Sequence, residues 1–293
     1  MDKIIKGLSA KSKIRFAAVD VTMSAKALEA RHLCGPTAGM ALAEGLVAVT
    51  MLAMDSAEAE ESVMLRLNAN GPIGGMMVEA MGDGGLRGFT NTKIMNDLDV
   101  LETISSDDCW GSSGSVQIQT TMPGRIINQA SLNVNPPKMQ FVLARYYNHS
   151  MQVPTACDIC VRSDSGGIIS ARGMLAQRME DSDMDAFIAV LEKFDGGGIH
   201  DALAQSVGVT DFGGLLGLPD AEVRETRELM FKCRCTKERT LAVLKTFTKE
   251  ELEKIHAAGE VQHITCHMCG NTYSAAPDDI RKIIEGMGEN DEG

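Results

Sequence analysis

The feature that most constrains this chain is a set of two close cysteine pairs near its C-terminus. Cys233 and Cys235 form a C-x-C pair, Cys266 and Cys269 form a C-x-x-C pair, and residues 236–265 lie between them. That much chain can fold back and bring four sulfurs to the corners of a tetrahedron, the geometry of a closed zinc site. Two close cysteine pairs at such a separation are a strong signal for zinc. We therefore predict that these four cysteines bind one Zn²⁺ ion per chain.

The same sulfurs are also candidates for redox chemistry. The first pair has four cationic neighbours, which are Lys232, Arg234, Lys237 and Arg239. Cations and bound metal both hold cysteine as thiolate, the form that oxidants attack. Cys266 and Cys269 can close a disulfide without difficulty, whereas Cys233 and Cys235 would close a strained, easily reduced ring. Each disulfide would remove two ligands and so release zinc, although a purely structural zinc ribbon remains an alternative interpretation.

Residues 233–293 are predicted to form a small zinc-binding domain. About sixty residues with few aromatic side chains can hardly stabilise a fold by burial alone. Structural zinc contributes about 10–16 kcal/mol of apparent folding free energy in such units. We predict helices over 237–246 and 277–284, a capping box of Thr248 and Glu251 that opens a helix to His256, and disorder over 289–293. Loss of the metal should unfold this domain.

Residues 1–178 are predicted to form an α+β domain, a mixed α/β fold with antiparallel strands and hairpins. The predicted strands cover 14–21, 63–68, 73–80, 86–90, 116–121, 126–132, 156–162 and 168–177. Helices are predicted from a cap at Thr22 or Ser24 to about Leu33, over the apolar run 37–54, and from Pro137 onward. Strands joined largely by hairpins, with helices between them, are typical of the α+β class.

The run 37–54 is long enough to cross a bilayer. It contains Glu44, has few bulky aliphatic residues in its first half, and is followed by an acidic segment over 55–61. We therefore predict a buried core helix rather than a membrane span.

Residues 179–232 are predicted to form a mainly helical linker with a large apolar surface. One helix carries an apolar stripe over 184–194, and a second covers 199–207. The segment 212–219 is apolar, rich in glycine and poorly suited to hold itself in order, and a strand follows over 223–232. We expect this linker to be buried against the first domain and to expose a sticky surface if it undocks. The alternative is an ordinary third layer of the core.

Charge limits the partners of this chain. The formal net charge is -12 over 293 residues, and an acidic surface repels nucleic acid and anionic membranes. No secretory signal opens the sequence, and the lysine-rich start only weakly resembles a transit peptide. We predict a cytoplasmic protein that binds neither nucleic acid nor membrane, or an organellar one if a leader has been removed.

The sequence resembles the heat-shock-protein-33 family of redox-regulated chaperones, and the resemblance runs nearly from end to end. Its most specific segments contain the two cysteine pairs, Phe231–Arg239 and Ile264–Asn271. Further matching segments are Asn70–Ile73, Gln152–Thr155 and Gly173–Leu175.

The resemblance implies that Cys233, Cys235, Cys266 and Cys269 are the zinc ligands and form the redox disulfides Cys233–Cys235 and Cys266–Cys269. It implies an ATP-independent holdase for unfolded or partly folded client proteins, active under oxidative stress as a homodimer whose linker unfolds. Such a protein is not an enzyme and has no catalytic residues, and we expect no cofactor other than zinc. The 19 methionines are compatible with a promiscuous client surface.

Four further cysteines lie outside the family pattern, and they are Cys34, Cys109, Cys157 and Cys160. Cys157 and Cys160 lie three residues apart on a predicted strand, where their side chains should point to opposite faces. We therefore expect two packed thiols there, and buried thiols at Cys34 and Cys109. His263 and His267 lie beside the second pair, and we do not expect them to be ligands because four cysteines are present.

Two other functions remain as alternatives. A thiol–disulfide oxidoreductase would need an exposed thiol at a helix N-terminus and turnover of disulfide substrates. A constitutive zinc-stabilised binding module would not respond to peroxide.

Overall fold

The computed structural model describes residues 1–56, 58–101, 105–205 and 208–288. The chain separates into two compact units, Met1–Lys232 and Cys233–Gly293. The predicted linker is therefore not a separate compact unit, because its residues belong to the first unit.

The first unit contains two sheets of largely antiparallel strands with helices around them. Its strands are β1 (Lys3–Ser9), β2 (Ile14–Asp20), β3 (Ser62–Ala69), β4 (Gly75–Met81), β5 (Gly85–Thr90), β6 (Gly114–Met122), β7 (Arg125–Val134), β8 (Thr155–Asp164), β9 (Gly167–Arg178), β10 (Ala221–Glu228) and β11 (Met230–Phe231). Its helices are α1 (Thr22–His32), α2 (Pro36–Leu52), α3 (Asn96–Asp99), α4 (Met139–Arg145), α5 (Met184–Asp195), α6 (Gly198–Ala204) and α7 (Phe212–Leu216). A 3₁₀ turn covers Asp107–Cys109, and a π turn over Tyr146–Ser150 continues α4.

The five-stranded sheet has the order β10-β1-β2-β9-β8, and the six-stranded sheet has the order β11-β5-β4-β3-β6-β7. All paired neighbours are antiparallel except β11 and β5, which run parallel. The α+β class predicted from alternating strands and hairpins is confirmed.

Helix α2 lies between the two sheets and contacts β4 and β5 of one and β8 and β9 of the other. Its residues are almost all buried, as the apolar run predicted, and Glu44 is its one charged residue. The prediction of a core helix is confirmed. Within the described ranges, no helix is both long and apolar enough to span a bilayer.

The start of the chain forms a strand that is not among the predicted strands. The lysine-rich segment folds as β1, which pairs with β2 on one side and with β10 on the other. Alternating burial along Lys3–Ser9 places apolar residues such as Ile4 in the core. The acidic side chain of Asp2 is buried beside this strand.

The predicted cap of α1 is wrong. Val21 occupies the N-cap position and makes no side-chain hydrogen bond to the helix. Instead the Asp2 carboxylate accepts hydrogen bonds from the Met23 and Ser24 backbone N–H groups at 2.8 and 2.7 Å. The cap comes from a residue about twenty positions away, where a local pattern cannot reveal it.

The linker packs over the outer face of the five-stranded sheet. Side chains from α5, α6 and α7 form a second apolar cluster with Ile14, Phe16 and Met174 of the sheet. The Phe16 and Phe212 rings stack with centroids 5.1 Å apart. The glycine-rich segment therefore differs from expectation, since it forms the short helix α7, capped by the Asp211 side chain.

The strand predicted over 223–232 divides into two. β10 pairs with β1, whereas β11 pairs with β5 of the other sheet, and buried Leu229 lies between them. This last part of the linker therefore crosses from one sheet to the other before the first cysteine pair.

The second unit is small. It contains α8 (Lys237–Leu241), a 3₁₀ turn (Ala242–Thr246), α9 (Lys249–Ala258), β12 (Gln262–Thr265), β13 (Thr272–Ala275) and α10 (Pro277–Gly288). The predicted capping box is confirmed, since Thr248 and Glu251 bond reciprocally across the first turn of α9. Its fully buried core consists of Leu241, Leu244, Leu252, Ala275 and Ile280. Residues 289–293, where disorder was predicted, lie outside the described residues.

Candidate metal centre

The structure brings the two cysteine pairs together. The Sγ atoms of Cys233, Cys235, Cys266 and Cys269 all lie within 4.8 Å of one another. Cys233 Sγ lies 3.9 Å from Cys266 Sγ, and Cys235 Sγ lies 3.4 Å from Cys269 Sγ. A tetrahedron with Zn–S bonds of about 2.3 Å has sulfurs about 3.8 Å apart. The four cysteines therefore have the spacing and the chemistry of a site that could hold a metal ion.

The hairpin of β12 and β13 positions the second pair. The Cys266 N–H donates to the Asn271 carbonyl at 2.8 Å, and the Gly270 N–H donates to the Cys266 carbonyl at 2.9 Å. Gly270 has φ +73°, a left-handed conformation that residues with a Cβ rarely adopt. This tight turn explains why glycine follows the last cysteine.

The N-terminus of α8 positions the first cysteine pair, Cys233 and Cys235. Thr236 caps α8 by accepting from the Arg239 N–H, and the Arg239 guanidinium donates to the Arg234 carbonyl at 3.0 Å. These bonds fix the short segment between the two sulfurs and the start of α8.

Burial opposes the ionisation of Cys266 and Cys269. Burial raises the pKa of the Cys266 and Cys269 thiols, and neighbouring sulfurs raise it further. Cys269 is fully buried and the other three are half-buried. Four thiolates so close together would need a cation among them, and a bound metal ion would supply that charge.

The structure gives other partners to three of the cations predicted to offset the charge of the site. Lys232 pairs with Asp83 at 2.7 Å, Lys237 pairs with Asp279 at 2.8 Å, and Arg239 bonds the backbone carbonyl described above. These cations therefore offset less of the negative charge of the four sulfurs than the sequence indicated, because acidic residues distant in sequence neutralise both lysines.

The histidines beside the second pair are not part of the cluster of ligand atoms, which contains four cysteines within the described residues. The His263 ring lies 3.2 Å from the Ser274 hydroxyl across the hairpin. The His263 side chain therefore contacts the neighbouring strand, β13, and is not one of the clustered ligands.

Among the cysteines of the first unit, Cys109 and Cys160 are buried, whereas Cys34, expected to be buried, and Cys157 are half-buried. Burial raises the pKa of Cys34 to about 11 and of Cys157 to about 12, and it also raises the pKa of Cys109 and Cys160. Cys157 packs against the core on the α2 side of β8, whereas Cys160 belongs to the cluster under the linker. The prediction that these two thiols face opposite ways is confirmed, and neither has the lowered pKa of an oxidoreductase nucleophile.

Sequence reasoning missed Tyr273. Its hydroxyl lies 3.2 Å from Cys235 Sγ and 3.3 Å from the Cys235 carbonyl oxygen. A signal was present, since the chain has only three tyrosines and this one lies four residues after Cys269.

Comparisons with known proteins find one family over nearly the whole chain. The family model described as Hsp33 protein matches residues 2–276. The 33 kDa chaperonin of Symbiobacterium thermophilum is 26% identical over 98% of this chain and 98% of its own length. A 33 kDa chaperonin of Thermus thermophilus is 26% identical over 97% of this chain and 87% of its own length. The crystal structure of the 33 kDa chaperonin from Thermotoga maritima superposes with a TM-score of 0.84 at 19% identity, covering 98% of this chain and 99% of that one.

Proposed function

The chain belongs to the Hsp33 family of chaperones, and from this premise we propose that it is a redox-regulated, ATP-independent holdase. The observation that carries the proposal is the cluster of four cysteine sulfurs within 4.8 Å in a unit with a core of five buried residues. A unit with so little buried surface depends on its metal to stay folded.

Cys233, Cys235, Cys266 and Cys269 would hold Zn²⁺, which the all-sulfur donor set favours over harder cations. A bound zinc ion would keep the four sulfurs as thiolates and tie the hairpin of β12 and β13 to the C-x-C segment. Family membership supports zinc as the one cofactor of the reduced protein.

Oxidation would proceed within each cysteine pair. Two thiolates of a pair give two electrons to hydrogen peroxide, the sulfur–sulfur bond forms, the peroxide O–O bond breaks, and two hydroxide ions leave. The disulfides Cys233–Cys235 and Cys266–Cys269 would each remove two metal ligands. The second unit then loses most of its folding free energy and unfolds.

Release of the linker would follow, because Cys233 is bonded directly to its last residue. Undocking of α5, α6 and α7 from the five-stranded sheet would expose the apolar cluster that includes Phe16, Met174 and Phe187. Unfolded or partly folded proteins bind such a surface through their own exposed apolar side chains. We propose that the oxidised chain acts in this way as a homodimer, without catalysis, in the cytoplasm or in an organelle.

Zinc content and suppression of client aggregation, measured before and after peroxide at mild heat, test this function. We expect about one zinc per reduced chain, zinc loss on oxidation and holdase activity only in the oxidised protein. Turnover of disulfide substrates with zinc retained would favour an oxidoreductase instead. Equal client binding before and after peroxide would favour a constitutive binding module.

A further inference from the structure

Tyr273 connects the two halves of the metal cluster. It lies on β13, opposite Ile264 of β12, on the hairpin that carries Cys266 and Cys269. Its hydroxyl reaches Cys235, which belongs to the other cysteine pair, at both the sulfur and the backbone carbonyl. The hydroxyl is thus placed to sense the state of a sulfur on a different chain segment.

The second cysteine pair receives its hydrogen bonds in another way. The backbone N–H groups of Met268 and Asn271 bond the sulfurs of Cys266 and Cys269. Those donors belong to the turn itself and a substitution leaves them in place. The sulfur of Cys235 instead has the Tyr273 hydroxyl as its partner, which is the donor whenever Cys235 is a thiolate, so this contribution can be removed without changing the backbone.

The Tyr273 hydroxyl has one proton, and two acceptor atoms of Cys235 lie within its reach, Sγ at 3.2 Å and the carbonyl oxygen at 3.3 Å. A Cys235 thiolate can only accept and carries negative charge, so the bond that Tyr273 donates to it is charge-assisted and favoured over the bond to the neutral carbonyl. A disulfide sulfur carries no such charge and accepts hydrogen bonds only weakly. The bond therefore stabilises the reduced, metal-bound state more than the oxidised state, and it withdraws electron density from the sulfur that an oxidant must reach.

We infer that Tyr273 is a positioning residue that orients Cys235 toward the metal and slows its oxidation, and so sets the amount of peroxide needed to open the switch. This inference rests on the proposed function. The step that it slows is attack of the Cys235 thiolate on peroxide, in which an S–O bond forms, the O–O bond breaks and hydroxide leaves. The Cys233 thiolate then displaces a second hydroxide and closes the disulfide.

The test compares Tyr273→Phe with Tyr146→Phe, which removes a hydroxyl from a tyrosine of the first unit. In the cobalt-substituted full-length protein, we expect the thiolate-to-cobalt charge-transfer band of Tyr273→Phe to move to longer wavelength, because the sulfur gains electron density. In the zinc-loaded protein we expect peroxide to release zinc more than about tenfold faster, the factor of one hydrogen bond to a charged group. Tyr146→Phe should match the wild type in both measurements.

A fluorinated tyrosine at position 273 keeps the shape of the side chain and donates more strongly. The charge-transfer band should move to shorter wavelength, and peroxide should release zinc more slowly. This variant keeps the inference testable if Tyr273→Phe does not bind cobalt. If Tyr273→Phe and the fluorinated protein both match the wild type in band position and rate, the inference is wrong while the metal centre stands. If the wild type binds neither zinc nor cobalt, the proposed metal centre and this inference are both wrong.

Discussion

Cys269 and Cys235 belong to one cluster but have different surroundings. Cys269 is fully buried beneath the turn of the second unit, whereas Cys235 is half-buried beside a side-chain donor. Loss of the Cys269 sulfur should therefore disturb the fold of this unit most directly.

We predict that Cys269→Ser binds zinc more than about a hundredfold more weakly, beyond the effect of losing a supporting hydrogen bond. The second unit should then be unfolded in the reduced protein. Zinc titration and hydrogen exchange over 237–288 measure both effects. Cys34→Ser, a half-buried thiol of the first unit, is the matched control, and a Cys269→Ser protein with full zinc content would contradict the four-sulfur site.

Glu44 is a carboxyl group within the core helix α2, where it accepts a hydrogen bond from the Ser106 hydroxyl. Burial raises its pKa to about 7, with nearby Asp107 adding to the shift and Lys138 opposing it. Between pH 4.5 and about 7, the Glu44 carboxyl is therefore protonated in the folded chain and ionised in the unfolded chain. The contribution of this group to the free energy of unfolding is largest below pH 4.5 and is lost as the pH rises to about 7.

We predict that Glu44→Gln stabilises the first unit at pH 8 by about 2 kcal/mol, and changes little near pH 4.5, because a neutral amide avoids the buried charge. The amide oxygen can still accept from Ser106. Denaturant unfolding of the first unit at the two pH values measures the difference. An equal effect at both pH values would show that the carboxyl is not protonated in the folded state.

At the scale of elements, two arginines hold the end of α6. Arg162 donates to the Ala204 carbonyl at 2.7 Å, and Arg172 donates to the carbonyls of Leu203 and Gln205. His200 of the same helix lies 3.1 Å from Asp158 on β8. The last carbonyls of a helix have no partner within it, so the sheet supplies partners that a free linker would lose.

We predict that Arg162→Gln weakens the docking of α6 by about 1.5–3 kcal/mol, the range for one hydrogen bond that involves a charged group. Hydrogen exchange over 198–205 should accelerate by at least about tenfold while β8 and β9 stay protected. Arg125→Gln, at the exposed first residue of β7, serves as control. Unchanged exchange in Arg162→Gln would mean that apolar packing alone holds this helix.

At the scale of the whole molecule, the two units have separate cores. Helix α2 and the two sheets bury the large clusters of the first unit, whereas the core cluster of the second unit has five buried residues. Their stabilities should therefore differ in kind, one set by burial and the other by metal.

We predict that a strong chelator under reducing conditions unfolds the second unit and leaves the first unit's sheets intact. Hydrogen exchange should show loss of protection over 237–288 and full protection in α2. Re-addition of zinc should restore the lost signal. A second unit that stays protected without metal would remove the physical basis of the proposed switch.

The sequence by itself determined the features that depend on neighbouring residues. The spacing of Cys233, Cys235, Cys266 and Cys269 indicated a metal cluster, the capping box of Thr248 and Glu251 began α9, and the apolar run 37–54 became α2. Each of these signals is a pattern of residue types at fixed spacings along the chain, where ligand spacing, periodicity and cap chemistry decide the outcome.

Only the tertiary structure decided the features that join distant residues. It placed Asp2 at the end of α1, divided the predicted strand 223–232 between two sheets, turned Arg162 toward α6 and brought Tyr273 to Cys235. A hydrogen bond or a strand pair forms wherever packing brings its partners together, and no local pattern specifies which residues will meet.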